Sequence, residues 1–411
     1  MVSKNDTLFL FTAQFPYGNK SETFLETEIL FLSNSFKKVI LFPTSCENKS
    51  VVRSIPSNVS VNNSLVNLEP TSTTKFFHLV KNPIIVLSLL ISEIRSKGLI
   101  NSLKNIKVIL DYTSRQLNLA SCISSNLNNG KEPIFYDYWF VNCTLALGIL
   151  KRKKIIKHFV SRGHGFDIYD ERNQPFGVIF RDWKIKQIDK LFLISQFGLN
   201  YFEQKIDAKY HSKLFLSHLG VSSQTIFNPS SEKRDVFTIV SCSSMLDFKQ
   251  VHKFPEIINL IDRPVQWIHF GDGPTRTQVE NKIKELKPSI SVELKGHVSN
   301  DSVIDFYKSE PVNLFLSLSL SEGLPVSMME AQSFGIPIVS FPVGGIPELV
   351  INGETGYLLN EEMTNIEIAR VLQSQLEFSF DKKKITAFFN NNFEASQNYT
   401  NFINQLCSLE K

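Results

Sequence analysis

The sequence predicts an α/β protein built as two domains, and three observations carry that prediction. Its 411 residues, 42% of them hydrophobic and 20% charged, are too many for one core and match ordinary globular composition. The chain opens as strand, helix, strand: Leu8 to Thr12 is an apolar run, Leu25, Ile29, Leu32 and Phe36 recur at helical spacing, and Lys38 to Phe42 is apolar again. The same alternation returns between Asn313 and Leu359, where the strand Leu314 to Leu318 runs from Pro311 to the loop Ser319 to Gly323. There Pro325 marks a first helical residue and Gly335 a helix stop.

Taken in order, the first strand ends in a tight loop around Gly18, on the side where open parallel sheets gather their ligands. A capping box formed by Asn19 with Glu22, or by Thr23 with Glu26, would start the helix. Thr71 to Leu90 and Glu93 to Leu103 predict helices with apolar faces, interrupted at Pro83 and Gly98. Ile134 to Asp137 is a strand ending in Tyr136, Asp137, Tyr138 and Trp139, groups suited either to stacking on a sugar or to packing. Lys151 to Lys154 closes a helix, where cations complement the dipole and can also meet anionic headgroups. After the strand His158 to Ser161, a loop runs from Arg162 to Asp170 with His164 between two glycines, whose small size lets a ligand approach. A lone histidine is also a common structural residue, and both readings stand. Lys190 to Ile194 is a strand, Ser195 starts a helix ending near Ile206, Leu214 to Leu219 is a further strand, and Gly220 to Asp235 reads as a connection.

The second half restarts with the strand Phe237 to Val240, and Lys249 lies at a helix start, placed to meet a phosphate as a point charge. Trp267 to Phe270 is a strand leading through the turn Gly271 to Pro274 into a helix that includes Gln278 to Leu286. Val292 to Gly296 is the next strand, followed by His297 and Val298. Glu322 falls in the loop at a strand's carboxyl end and Glu330 one and a half turns into the following helix. At a rise of about 1.5 Å per residue this separates them by about 10 Å or more. That is wider than the roughly 5 to 5.5 Å of a nucleophile and acid pair in a retaining glycosidase. Two such carboxylates suit clamps for the ends of a long ligand, or are simple surface charges. The helix start from Gly323 through Leu324 and Pro325 to Val326 is a ready seat for phosphate. Gly344 and Gly345 permit close backbone approach, Glu348 opens a short helix, and Phe393 to Leu406 is a terminal helix.

A net charge of +4 over this length gives no electrostatic case for nucleic acid. Five scattered cysteines without a CxxC spacing fit a reducing compartment and offer no metal site. The apolar amino-terminal run ends in an aromatic turn rather than a small-residue cleavage site, so it reads as a strand and not a signal peptide. The longest apolar run, Pro83 to Ile91, is far short of the roughly 20 residues of a membrane span. A cytoplasmic protein is expected, peripheral on the inner face of the plasma membrane if the basic run engages lipid.

The segment SEGLPVSMMEAQSFGIPIV, with the glycine loop VGGIPELV and then NGETGYLL, resembles the donor half of the family 4 glycosyltransferases. SRGHGFDIYDER resembles the same family's HG-aromatic-D segment, and FPYG after the first strand resembles its bacterial surface-polysaccharide members, those of O-antigen, capsule and exopolysaccharide assembly. The resemblance implies the GT-B fold, two Rossmann-like domains facing across a cleft. Residues 1–205 would form the acceptor-side domain, 206–234 the connection, 235–390 the nucleotide-sugar domain, and 391–411 a helix crossing back. It implies a hexosyltransferase-type enzyme that retains anomeric configuration. Glu322 would contact the transferred sugar and Glu330 the ribose, His164 the donor sugar with Asp167 supporting it. Lys249 and the Gly323 to Val326 helix start would meet the diphosphate, and the backbone at Val298 the base. Gly18, Ser21, Glu22, Tyr136 and Trp139 fall on the acceptor side, although a plain strand-to-helix turn accounts equally for Ser21 and Glu22. The implied partners are a nucleotide-sugar co-substrate and a glycan or lipid-linked oligosaccharide acceptor, whose site the aromatic and aliphatic residues between about Asn48 and Asn129 would line if they are not core. Neither a cofactor nor a metal is expected, since the chain has no Asp-x-Asp pair. One departure stands out: the family often has an Arg five residues before the lysine, where this chain has Ser244. Two other functions remain open, a sugar-nucleotide epimerase or hydrolase of the same fold and a non-catalytic glycan or nucleotide-sugar binding protein.

Overall fold

The computed structural model describes residues 5–18, 22–46, 52–127, 132–229 and 236–410. The chain divides into two compact units, one of Met1–Ser217 with Tyr399–Lys411 and the other of His218–Asn398. Each is organised on one parallel sheet.

In the first unit the strands are β1 (Asn5–Thr12), β2 (Phe36–Pro43), β3 (Val59–Val61), β4 (Ile134–Asp137), β5 (Phe159–Gly163), β6 (Lys190–Leu193) and β7 (Leu214–Leu216). Their spatial order is β3-β2-β1-β4-β5-β6-β7, all parallel. The helices are α1 (Leu25–Ser35), α2 (Ser72–Lys81), α3 (Pro83–Lys97), α4 (Leu99–Lys104), α5 (Ile106–Ser125), α6 (Thr144–Arg152), α7 (Arg181–Gln187) and α8 (Gln196–Gln204). Helices cover both faces of a sheet like this one, so its strands are apolar on both sides. Phe9, Phe11 and Phe135 enter one core cluster while Leu8, Leu10 and Tyr136 enter the other. The β7 strand and the turn Ala208–Lys213 belong to this unit, so the connection expected from residue 206 begins only after Ser217.

The second unit has β8 (Phe237–Cys242), β9 (Val265–Phe270), β10 (Ile290–Gly296), β11 (Leu314–Ser317), β12 (Ile338–Ser340) and β13 (Gly356–Leu358), in the order β10-β9-β8-β11-β12-β13, again all parallel. Its helices are α9 (Phe254–Ile258), α10 (Arg276–Ile283), α11 (Asn300–Ser309), α12 (Val326–Ser333), α13 (Asn365–Glu377) and α14 (Lys382–Phe393). Pro325 is the residue before α12 rather than its first, and Gly335, at φ +76°, turns the chain out of it. Glu348 ends a short 3-10 turn that Ile346 opens, reversing the expected order. The last helix, α15 (Ala395–Cys407), starts two residues later than the sequence suggested, and its Phe402, Ile403 and Leu406 are buried in the first unit's core.

In both sheets the order reverses beside the first strand, between β1 and β4 and between β8 and β11. Loops leaving the strand carboxyl ends part there, which makes it the place where such sheets leave a crevice.

Candidate functional site

In the second unit the β8/β11 switch point brings together Lys249, from the loop after β8, and Glu322, from the loop after β11. The Lys249 ammonium donates to Glu322 Oε1 at 2.5 Å, with both side chains mostly shielded from solvent. They line a cavity of about 20 Å³ with Ser241, Ser317 and Pro325, room for a water and no more. Lys249 closes a 3-10 turn, Asp247–Lys249, instead of opening an α-helix. The Glu322 loop is held by the chain that follows β12: Gly345 N–H donates to the Gly323 carbonyl at 2.7 Å. At Gly344, φ is +58°, and a Cβ would lie 2.0 Å from the Glu322 carbonyl oxygen. Gly344→Ala is therefore expected to destabilise the second unit by about 2 kcal/mol or more, combining overpacking with a left-handed backbone. The denaturant midpoint measures it.

One and a half turns along α12, Glu330 is 8% exposed and accepts from the Asn300 amide at 2.6 Å. Burial pushes its carboxyl up to about 7, with Asn300 pulling it back only in part. Asn300 opens α11 just past Val298, a half-buried residue two positions beyond β10. Sequence reasoning missed Asn300, although Ser299, which caps α11 by accepting from Ser302 N–H, was a readable signal for a helix start there. Leu324 is buried, while Gly323, Pro325 and Val326 are half-buried at the start of α12. Ser244 is exposed in the β8 loop.

In the first unit a second group gathers at the carboxyl ends of β1, β4 and β5. The His164 ring lies 4.3 Å from the Trp139 ring, 4.7 Å from Tyr138 and 5.6 Å from Phe24, between centroids. Asp167 is fully buried and accepts from the His164, Gly165 and Phe140 amides at 2.8, 2.9 and 3.1 Å. Its carboxylate fixes the loop backbone. Its distance to His164 Nδ1, 3.7 Å, exceeds a hydrogen bond. Neither ring nitrogen has a hydrogen-bond partner among the described residues. Burial lowers the His164 pKa, so the imidazole is neutral at physiological pH.

Three expectations for this region are corrected. Glu22 is not presented to a ligand: its carboxylate accepts from the Ala13, Gln14 and Phe15 amides at 2.8, 2.7 and 2.6 Å and from the Trp139 indole at 2.6 Å. The expected capping box of Thr23 with Glu26 does not form, since α1 starts after Phe24 with no side-chain cap; Asn19, of the alternative box with Glu22, and Ser21 lie outside the described residues. Tyr136 points into the core, fully buried, and donates to Glu28 at 3.0 Å. Gly18, at φ +70°, lies where a Cβ would come 3.7 Å from Gln14 Oε1, and its carbonyl accepts from Arg53 at 2.8 Å. Phe24, another wall around His164, was not singled out; Tyr138, named with its neighbours as suited to stacking or to packing, is fully buried against the ring.

Two parallel-sheet units of this topology define the GT-B fold, and solved structures agree. The lipopolysaccharide outer core galactosyltransferase WaaB matches with TM-score 0.67 at 18% identity, over 98% of this chain and 99% of WaaB. HepE from Anabaena, solved with UDP, matches with TM-score 0.66 at 13% identity, over 98% of this chain and all of HepE. Residues 222–403 match the family model described as glycosyl transferases group 1. An uncharacterised glycosyltransferase of Methanocaldococcus jannaschii, MJ1178, is 26% identical over 60% of this chain and 66% of its own length. The chain spans between 32% and 66% of the length of three curated relatives it matches.

Proposed function

We propose that this protein transfers a hexose from a nucleotide-sugar donor to a glycan acceptor carried on a lipid, in the assembly of a cell-surface polysaccharide, with retention of configuration. The observation that carries the reading is the Lys249–Glu322 pair at the β8/β11 switch point, inside the segment matching the group 1 model. In the reading, Lys249 leaves Glu322 for the donor diphosphate and, with the amino end of α12, stabilises the departing nucleotide without a metal. Glu322, released, accepts from hydroxyls of the transferred sugar, while Glu330 accepts from the ribose diol and backbone near Val298 meets the base. Within the first unit, His164 is a neutral group suited to a sugar, with Trp139 as a stacking wall beside it and Asp167 as its loop's anchor. Gly18 lies on the acceptor side.

The test is calorimetric titration with UDP, GDP, ADP and CMP, without divalent metal. One diphosphate is expected to bind selectively, and Glu330→Ala to weaken it by about 10- to 100-fold, the worth of charged hydrogen bonds. The ionised carboxylate is the better acceptor, so affinity should rise as pH passes through about 7, and Glu330→Gln should flatten that dependence. In stability the sign is opposite. The raised pKa favours the fold below the ordinary value of 4.5, and that contribution is lost as pH rises through about 7. A folded protein that binds none of the four sinks the donor-site reading. A second reading, a binding protein without turnover, is favoured by Ser244 in place of an arginine; selective binding with no sugar transfer to any lipid-linked acceptor would select it.

A further inference from the structure

We propose that α2, α3 and α4 form a docking face for an anionic lipid bilayer. Among the described residues no single helix is long and apolar enough to cross a membrane; α2 and α3 reach that length only together, and the chain bends by 91° between them. The α3 helix has two apolar sides. Ile85 and Leu89 are buried in the first unit's core, while Ile84, Leu87 and Ile91, spaced i, i+3, i+7, face outward, Ile84 at 74% exposure. A helix anchored in protein along one side and apolar along the other lies in an interface rather than spanning it.

Its neighbours extend the surface. Phe76 and Phe77 on α2 are 62% and 53% exposed, and Ile100 and Leu103 on α4 are 70% and 57% exposed. Scattered exposed apolar residues are ordinary, but three consecutive helices presenting them mark a surface that something covers.

Charge decides the occupant. From Thr71 to Leu110 the one acidic residue is Glu93, which is buried and paired with Lys97 at 3.0 Å. Lys81, Arg95, Lys104 and Lys107 are exposed along the same stretch. The basic run is brought alongside, for Lys153 donates to Asn82, the residue joining α2 and α3, at 2.6 Å. A wide apolar face rimmed by cations, whose flanking carboxylates Asp111 and Glu69 are each paired, with Lys75 and Arg115, complements negatively charged headgroups over acyl chains.

The test is co-sedimentation of the full chain with phosphatidylcholine vesicles, with and without one-third phosphatidylglycerol, and with no sugar donor added. Pelleting is expected only with the anionic vesicles and should weaken with salt. Phe77→Ser with Ile84→Ser and Ile100→Ser should abolish it. Lys81→Glu with Arg95→Glu and Lys104→Glu should weaken it by about 100-fold or more, at about 1 kcal/mol for each lost cation. All six positions are exposed, and matching thermal melts would show that the variants fold. Absence of pelleting, equal pelleting with both vesicles, or pelleting unchanged by the apolar variant would overturn the proposal. So would a dimer, seen by light scattering and dissolved by the apolar variant, in a protein that ignores vesicles; that outcome assigns the face to a second copy. None of these results bears on the nucleotide titration, so the two readings fail separately.

Discussion

Lys249→Ala is expected to lower kcat for sugar transfer by about 10²- to 10³-fold, the usual effect of removing one preorganised donor from a developing negative charge. Ser244 removes the arginine that would share that work, so the loss falls on a single side chain and the helix end. The partner substitution separates function from mere pairing. If Lys249 and Glu322 were only an ion pair, removing either would leave the other's shielded charge uncompensated, a loss of stability common to both variants with no contrast between them in ligand binding. In the proposed reaction they behave oppositely. Glu322→Ala frees the ammonium, so nucleoside diphosphate binding should hold or tighten by up to about fivefold, while transfer collapses for want of the carboxylate at the sugar. Lys249→Ala should lose both. Titration beside a transfer assay reads the contrast, and parallel behaviour of the two variants would reject the assigned roles.

The parts of this fold that were legible in the sequence are those whose cause is local. β11, α12 and β12 could be read because a buried parallel strand is a continuous apolar run and because Gly335 takes a left-handed turn that few residues tolerate. Glu322 and Glu330 could be placed on a loop and a helix for the same reason. What stayed hidden depends on partners far along the chain or on backbone. The Glu22 carboxylate serves three main-chain amides, which leave no side-chain code. Tyr136 sits at a strand end that suits ligand contact, yet strand alternation turns it toward Glu28, 108 residues away. Asn300 meets Glu330 across 30 residues of chain, a contact made only by the tertiary fold. The apolar stretch near Pro83 reads as core by composition, and half of it is; the outward half has the same residue types and no local mark of exposure.

The pair formed by Glu28 and Arg162 was invisible for the same reason, and it carries the largest expected stability effect. Glu28, on α1, and Arg162, on β5, are both fully buried and meet at 2.6 Å. Burial pushes the Glu28 carboxyl above its ordinary value, against the pull of Arg162 and of the Tyr136 hydroxyl. The guanidinium lies 4.1 Å from the centre of the Phe402 ring on α15, so the terminal helix closes over the charge and keeps water from it. A buried charge left without its partner is costly, so Arg162→Met should destabilise the first unit by about 3–5 kcal/mol, and Glu28→Leu by a similar amount. The double replacement removes both charges together. Their desolvation penalties disappear with their attraction, and packed side chains of similar size should recover most of the loss. Phe402→Ala should add its own deficit of about 3 kcal/mol or more and open the pair to water. Denaturant unfolding of the four members of the Glu28/Arg162 cycle decides the matter. A double variant as unstable as the sum of the singles would mean that the pair is more than mutual charge compensation, and that its hydrogen bonds organise the junction of α1, β5 and α15.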